Sequence, residues 1–243
     1  MKTLGIIGGM GPLAGCDLLE KIIANTDARC DQDHIHVLLD SNTAIPDRTA
    51  AILAGGADPV PQLCASARRL ERAGAQVLVM SCNTVHYFYD AVASSVSVPL
   101  LHMPRLTTAF VEQSGLRRVA LLATDGTIRS GVYQKAFAGT APLLPNPQGQ
   151  AAIMSLIYDG VKRGDEHFDT AQVRDVLRML TDNGAEAFIL GCTELPIAFR
   201  LYGLPGRTID PTLVLARAAV EACGAPLKPC LLYTSPSPRD RTR

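Results

Sequence analysis

Ala73–Thr84 reads AGAQVLVMSCNT, and Asn183–Glu194 reads NGAEAFILGCTE. Shifting one by 110 positions sets Gly74 on Gly184, Ala75 on Ala185 and Cys82 on Cys192. Each stretch runs from a turn glycine through a short apolar segment to a small residue, a cysteine and then polar side chains. That order predicts a buried strand whose carboxyl end opens onto something polar. The echo extends further. TLGIIGGMGP (Thr3–Pro12) corresponds to RVALLATDGT (Arg118–Thr127) at an offset of 115. Pro104 and Pro211 each open a helix after a late strand. The chain therefore reads as two similar halves.

Short β-rich runs alternate with helical patterns throughout. Leu4–Ile7, Ile35–Leu39, Val77–Met80, Val98–Leu101, Val119–Ala123, Leu143–Leu144, Phe188–Leu190 and Thr208–Ile209 read as strands. Helices are expected after Pro12, with Leu18, Leu19, Ile22 and Ile23 as the apolar stripe, and over Val60–Arg72 and Asp169–Asp182. Such alternation predicts an α/β fold of two pseudo-symmetric three-layer domains with parallel sheets. The expected divisions are 1–98 plus 208–229, with the last helix returning to the first domain, and 99–207. Ligands in such sheets bind beyond the carboxyl ends of the strands, which puts the site in the interdomain cleft.

Bulk properties bound the function. The 243 residues are 47% hydrophobic and carry a formal net charge of zero. They can bury a sizeable core, and they lack the basic balance of a nucleic-acid or anionic-membrane binder. No apolar run reaches the roughly 18 residues of a membrane span. The start enters LGIIGG after a single Lys2, without a cleavage-site pattern, so no signal peptide is expected. Seven cysteines without a CxxC pair fit free thiols in a reducing cytoplasm. Zinc is not expected, because only Cys82 with His86 approaches ligand spacing. Residues 230–243, CLLYTSPSPRDRTR, are Pro/Ser/Arg-rich and aperiodic. They look like translated adapter read-through, and their removal is expected to leave activity intact.

Cys82 and Cys192 are the candidate catalytic pair. A lone cysteine after a strand is ordinarily a small buried hydrophobe, and Cys16, Cys30, Cys64 and Cys223 take that reading. Packing does not require the polar neighbours to be duplicated as well. Two thiols facing each other across a cleft can carry a proton to and from opposite faces of one carbon. A free thiol has pKa ~8.5, and lowering one by about two units would represent roughly 2.7 kcal/mol of local stabilisation. Backbone N–H groups at the following helix start are expected to supply part of it. The pair should hold one proton between them. Deprotonating a carbon beside a carboxylate also requires fixed donors for the charge that develops. Asn83, Thr84 and Thr193 are placed for this by the repeat, with helix capping as their alternative role. Thr124 and Thr127 would join them from the other glycine turn, with Met10 and Gly11 as counterparts.

GIIGGMGP (Gly5–Pro12), IPDR (Ile45–Arg48), SCNTVH (Ser81–His86), ATDGT (Ala123–Thr127), the Lys162 segment and GCTELP (Gly191–Pro196) occur in this order. Together they make the chain resemble the aspartate/glutamate racemase family over about residues 1–225, on its aspartate racemase side. The resemblance implies an amino-acid substrate, no pyridoxal phosphate or other cofactor, no metal, and a homodimer. It also implies that Arg48 and Lys162 contact the substrate. An arginine fork suits a second carboxylate. Otherwise Arg48 would pair with Asp47 or Asp40, and Lys162 would be a helix-end cation before Gly164. A Schiff base on Lys162 is a rival mechanism, although the sequence shows no phosphate cradle. Glu194 either meets the substrate ammonium and orients neighbours or serves as the first-turn acid of its helix. His86 either pairs with Cys82, which would suggest acyl transfer, or is a helix residue near the cleft.

Two other readings keep the fold. One is a related carbon-acid enzyme of the arylmalonate decarboxylase, maleate isomerase or hydantoin racemase type. The other is a non-catalytic amino-acid-binding protein.

Overall fold

The computed structural model describes residues 1–139 and 141–229; the expectation for 230–243 lies outside them. In chain order, the first half contains β1 (Leu4–Gly8), α1 (Pro12–Asn25), β2 (Val37–Ser41), α2 (Arg48–Leu53), α3 (Val60–Arg72), β3 (Val77–Met80), α4 (Tyr89–Ala93) and α5 (Met103–Gln113). The second continues with β4 (Val119–Ala123), α6 (Asp125–Ser130), α7 (Pro147–Ser155), α8 (Ala171–Asp182), β5 (Ala187–Gly191), α9 (Glu194–Leu201), β6 (Thr208–Ile209) and α10 (Pro211–Ala222).

The strands form two parallel sheets, ordered β2-β1-β3 and β4-β5-β6. Their registers reproduce the sequence repeat. Leu4 pairs with Val77 in one sheet and Val119 with Ala187 in the other, at the offsets of 115 and 110. The weak strands also have equivalents. Leu100 bridges Leu78 beyond β3, where β6 lies beyond β5, and Leu143 bridges Ala120 where β2 flanks β1. Val98–Leu101 and Leu143–Leu144 are thus single bridges rather than full strands. The twin glycines confirm the duplication. Gly74 and Gly184 follow α3 and α8 at φ 100° and 92°, a left-handed turn that a side chain would strain.

Both faces of each sheet are covered, because successive strand residues point to opposite sides. Leu4, Ile6, Val77 and Val79 pack beneath α1 and α10, while Ile7, Leu78 and Met80 meet α3. Leu122, Phe188 and Leu190 face α7, α8 and α9, and Leu121, Ala123 and Ile189 face the opposite way, with Tyr133 and Val111. A fully buried Leu or Ile contributes about 1.5–3 kcal/mol relative to exposure. α10 is fastened to α1 by Lys21, whose ammonium lies 2.5 Å from Asp17 and 2.7 Å from Asp210. Because Leu100 joins the first sheet and β6 the second, we propose crossing points near residues 102 and 210 rather than 98/99 and 207/208.

Two local expectations are corrected. Ile23 is 48% exposed, because α1 buries the Leu18/Ile22 row and leaves the adjoining row toward solvent. Cys16 and Cys30 are exposed rather than buried, unlike Cys64 and Cys223. Among the described residues, no helix is long and apolar enough to cross a membrane.

Candidate active site

One cavity lies where the carboxyl ends of the two sheets face each other. Cys82, two residues beyond β3, and Cys192, immediately after β5, both line it. They are 9% and 8% exposed. Met10, Arg48, Asn83, Thr84, Thr124, Lys162, Thr193 and Glu194 line it as well. Thr127 lies just behind, fully buried, with its hydroxyl 2.8 Å from that of Thr84 and 3.2 Å from that of Thr124. The free volume is small, ≈ 30 Å³, room for about two ordered waters; a larger ligand would have to part the walls. A roomier groove, ≈ 630 Å³, runs between α7 and α8 beside Gly149, Val176 and Met179, and no cysteine lines it.

The two halves touch tightly beside this cavity. Gly126 of α6 lies against Thr49 of α2 and Thr84, and a Cβ there would stand 2.6 Å from the Thr49 hydroxyl. Glycine is what lets α2 bring Arg48 to the cleft wall. Arg48 does not take either expected ion pair. Asp40 pairs with Arg69, and Asp47 caps α2 by accepting from the Ala50 amide at 2.7 Å. Arg48 Nη1 instead donates to the carbonyl of Pro46 at 2.9 Å, more weakly to that of Ile45, and its buried Nε has no partner.

Capping is not what holds Asn83, Thr84 and Thr193. Neither Asn83 nor Thr193 makes a side-chain cap bond, although both stand at helix starts. Asn83 accepts from the Tyr133 hydroxyl at 2.6 Å, and Thr193 donates to Glu194 at 3.0 Å. Thr124 is the threonine that caps, accepting from the Thr127 amide at the start of α6. His86 commits both ring nitrogens to the backbone: Nδ1 donates to the Cys82 carbonyl at 2.9 Å, and Nε2 accepts from the Met103 amide at 3.1 Å. Burial pushes its pKa down to about 3. It is a neutral brace for the Cys82 turn, so the Cys82–His86 pairing does not form.

Cys192 donates its S–H to Glu194 Oε2 at 2.9 Å. Burial, followed by the Glu194 charge and this bond, raises its pKa well above the usual thiol range. The Glu194 amide acts in the expected downward direction but is outweighed. The expectation of a thiol lowered by its helix start therefore fails at Cys192. A charge on Cys82 raises it further, so the two sulfurs resist being ionised together. Lys162 follows a π-helical turn, Leu156–Val161, which ends the helix begun by α7 where Tyr158 and Lys162 line the cleft. Its ammonium lies 3.8 Å from Glu194 and 4.2 Å from the Tyr158 ring centroid. Burial pulls its pKa down, but Glu194, Tyr158 and the two cysteines outweigh this, and the net shift is upward. A lysine held charged is a poor Schiff-base nucleophile.

Thr49, Tyr158 and Tyr133 escaped the sequence reading, and Asp47 entered it only as a possible partner of Arg48. Tyr158 stands one helical turn before Lys162, a spacing that could have flagged it. The others carry no signal in the repeat.

Two duplicated parallel sheets that meet at their carboxyl edges define the fold class, and solved structures share that architecture. An aspartate racemase from Picrophilus torridus is 31% identical, with a TM-score of 0.81 over 94% of this chain and 96% of its own. An aspartate racemase homologue from Pyrococcus horikoshii OT3 is 25% identical, with a TM-score of 0.75 over 92% and 100%. The broad specificity amino-acid racemase RacX of Bacillus subtilis is 26% identical over 90% of this chain and 96% of its own. The chain belongs to the Asp/Glu/Hydantoin racemase family, whose sequence model matches residues 7–219. It is accordingly an enzyme of the isomerase class.

Proposed function

We propose that the protein racemises an acidic amino acid, aspartate first and glutamate second, by two-thiol proton transfer at Cα without a cofactor. The observation that carries this reading is the presence of Cys82 and Cys192, one from each half, on one cavity lined by an arginine and a lysine. Cys192 is the resting acid, because burial and Glu194 keep its proton in place. Cys82 removes the substrate proton from one face as Cys192 supplies one to the other. Forward turnover leaves Cys82 protonated and Cys192 as thiolate, and the reverse direction starts from that state: Cys192 removes the substrate proton while Cys82 supplies one to the other face, which restores the Cys192–Glu194 hydrogen bond. Arg48 grips the side-chain carboxylate with donors that include its unpartnered Nε, and Lys162 meets a substrate carboxylate. Asn83 offers a free amide N–H to charge developing on the α-carboxylate, and Met10, Thr84, Thr124, Thr127 and Thr193 shape and orient the site. The family resemblance supports a homodimer, and unbridged exposed cysteines suit a reducing cytoplasm.

The test is proton exchange in deuterated water. Deuterium should enter Cα of either enantiomer of aspartate without added pyridoxal phosphate, while chiral chromatography shows conversion. Malonates and maleate assayed alongside separate the related carbon-acid enzymes. Absence of Cα exchange in every amino acid would favour a simple binder.

Glu194→Gln tests the assignment of the resting proton. In the direction that uses Cys192 as acid, kcat/KM depends on the protonated thiol and falls as pH rises through its pKa. The raised pKa holds the wild-type profile flat into alkaline solution. Removing the carboxylate charge lowers that pKa, so the decline should begin at lower pH in the variant. An unmoved limb would show that Glu194 does not govern the thiol.

A further inference from the structure

We infer that Tyr133 is a positioning residue that fixes which end of the Asn83 amide faces the substrate. The inference rests on the reading of the cleft as a racemase site and deepens it. Asn83 is 2% exposed and lines the cavity. Its side chain has a carbonyl acceptor at one end and two N–H donors at the other, of nearly equal shape. The end that faces an incoming carboxylate decides between attraction and repulsion.

Tyr133 settles the orientation. It is fully buried in the second half, packed with Leu121, Ala123 and Ile189. Its hydroxyl donates to Asn83 Oδ1 at 2.6 Å. Burial raises its pKa, so the phenol remains a protonated donor through the working pH range. The carbonyl end is thereby satisfied, leaving Nδ2 buried without a partner. An unpartnered buried N–H is costly unless something occupies it during function. A substrate carboxylate in the cavity would be that partner. Asn83 belongs to the turn after β3 and Tyr133 to the segment after α6, so the bond also ties the donor on one half to the core of the other.

The experiment is a double-mutant cycle with Tyr133→Phe and Asn83→Ala, measuring KM and kcat/KM for both enantiomers, with thermal unfolding of each variant alongside. Phenylalanine keeps the ring and its packing but removes the donor. Tyr133→Phe should raise KM and lower kcat/KM by about ten-fold or more, the scale of a hydrogen bond to a charged group. On the Asn83→Ala background the same change should have little further effect, because Tyr133 acts through Asn83. Unchanged kinetics in Tyr133→Phe would overturn the inference, as would a full, independent loss on both backgrounds; a fall in unfolding temperature with KM unmoved would do the same. If the wild-type protein racemises no amino acid, the functional reading itself fails, a result distinct from any of these.

Discussion

Cys82→Ala and Cys192→Ala should each lower racemisation by about 10³-fold or more, the upper range for removing a positioned acid or base. Each variant retains one sulfur on one face of Cα. That sulfur can still remove a proton from the enantiomer presenting hydrogen to it, but nothing on the opposite face can deliver one. Deuterium should therefore wash slowly into one enantiomer with retention of configuration, and the two variants should favour opposite enantiomers. The fold should survive, since both side chains are small and sit where the core of each half borders the cavity. Full turnover in either variant would end the two-thiol mechanism, and exchange of both enantiomers by a single variant would show that one sulfur reaches both faces.

Arg48→Ala should lower kcat/KM for aspartate by about 10²-fold, within the 2–5 kcal/mol typical of a truncated buried charge pair. Arg48 also has a structural task, since its Nη1 holds the Pro46 and Ile45 carbonyls at the approach to α2. A loosened loop would weaken every substrate alike. The decisive quantity is the ratio of aspartate to alanine, which has no side-chain carboxylate. The ratio should collapse in the variant, and Arg48→Lys should restore little of it, because an ammonium cannot form two parallel bonds to a carboxylate. An unchanged ratio would move the side-chain carboxylate elsewhere, with Lys162 the first alternative.

The architecture was legible because it is written twice. The registers of Leu4 with Val77 and of Val119 with Ala187 are one arrangement repeated at the sequence offsets, and the turns at Gly74 and Gly184 repeat in the same way. The cysteines were legible for the same reason, and most of their polar neighbours followed from the motifs around them. What escaped lacks a twin or depends on rotamers. Tyr133 is remote in sequence from Asn83 and has no repeat partner. Glu194 reads either as a first-turn acid of α9 or as a residue that orients its neighbours; its side chain folds back toward Cys192 and adds to the burial that raises the thiol's pKa. Cys16 and Ile23 lie on α1 within an apolar context, yet the helix turns them outward. Periodicity gives the face of a helix only to within a row.

The triangle formed by the hydroxyls of Thr84, Thr124 and Thr127 has a consequence for the charge it favours. Three alcohols own three protons, and three mutual contacts of 2.8 to 3.2 Å can consume all of them in a closed circuit. Around such a circuit the hydrogens point at neighbouring oxygens; Thr124 also accepts from the Thr127 amide, so the spare lone pair is that of Thr84. An anion would gain little from that oxygen, whereas a cationic group would find an acceptor already oriented there.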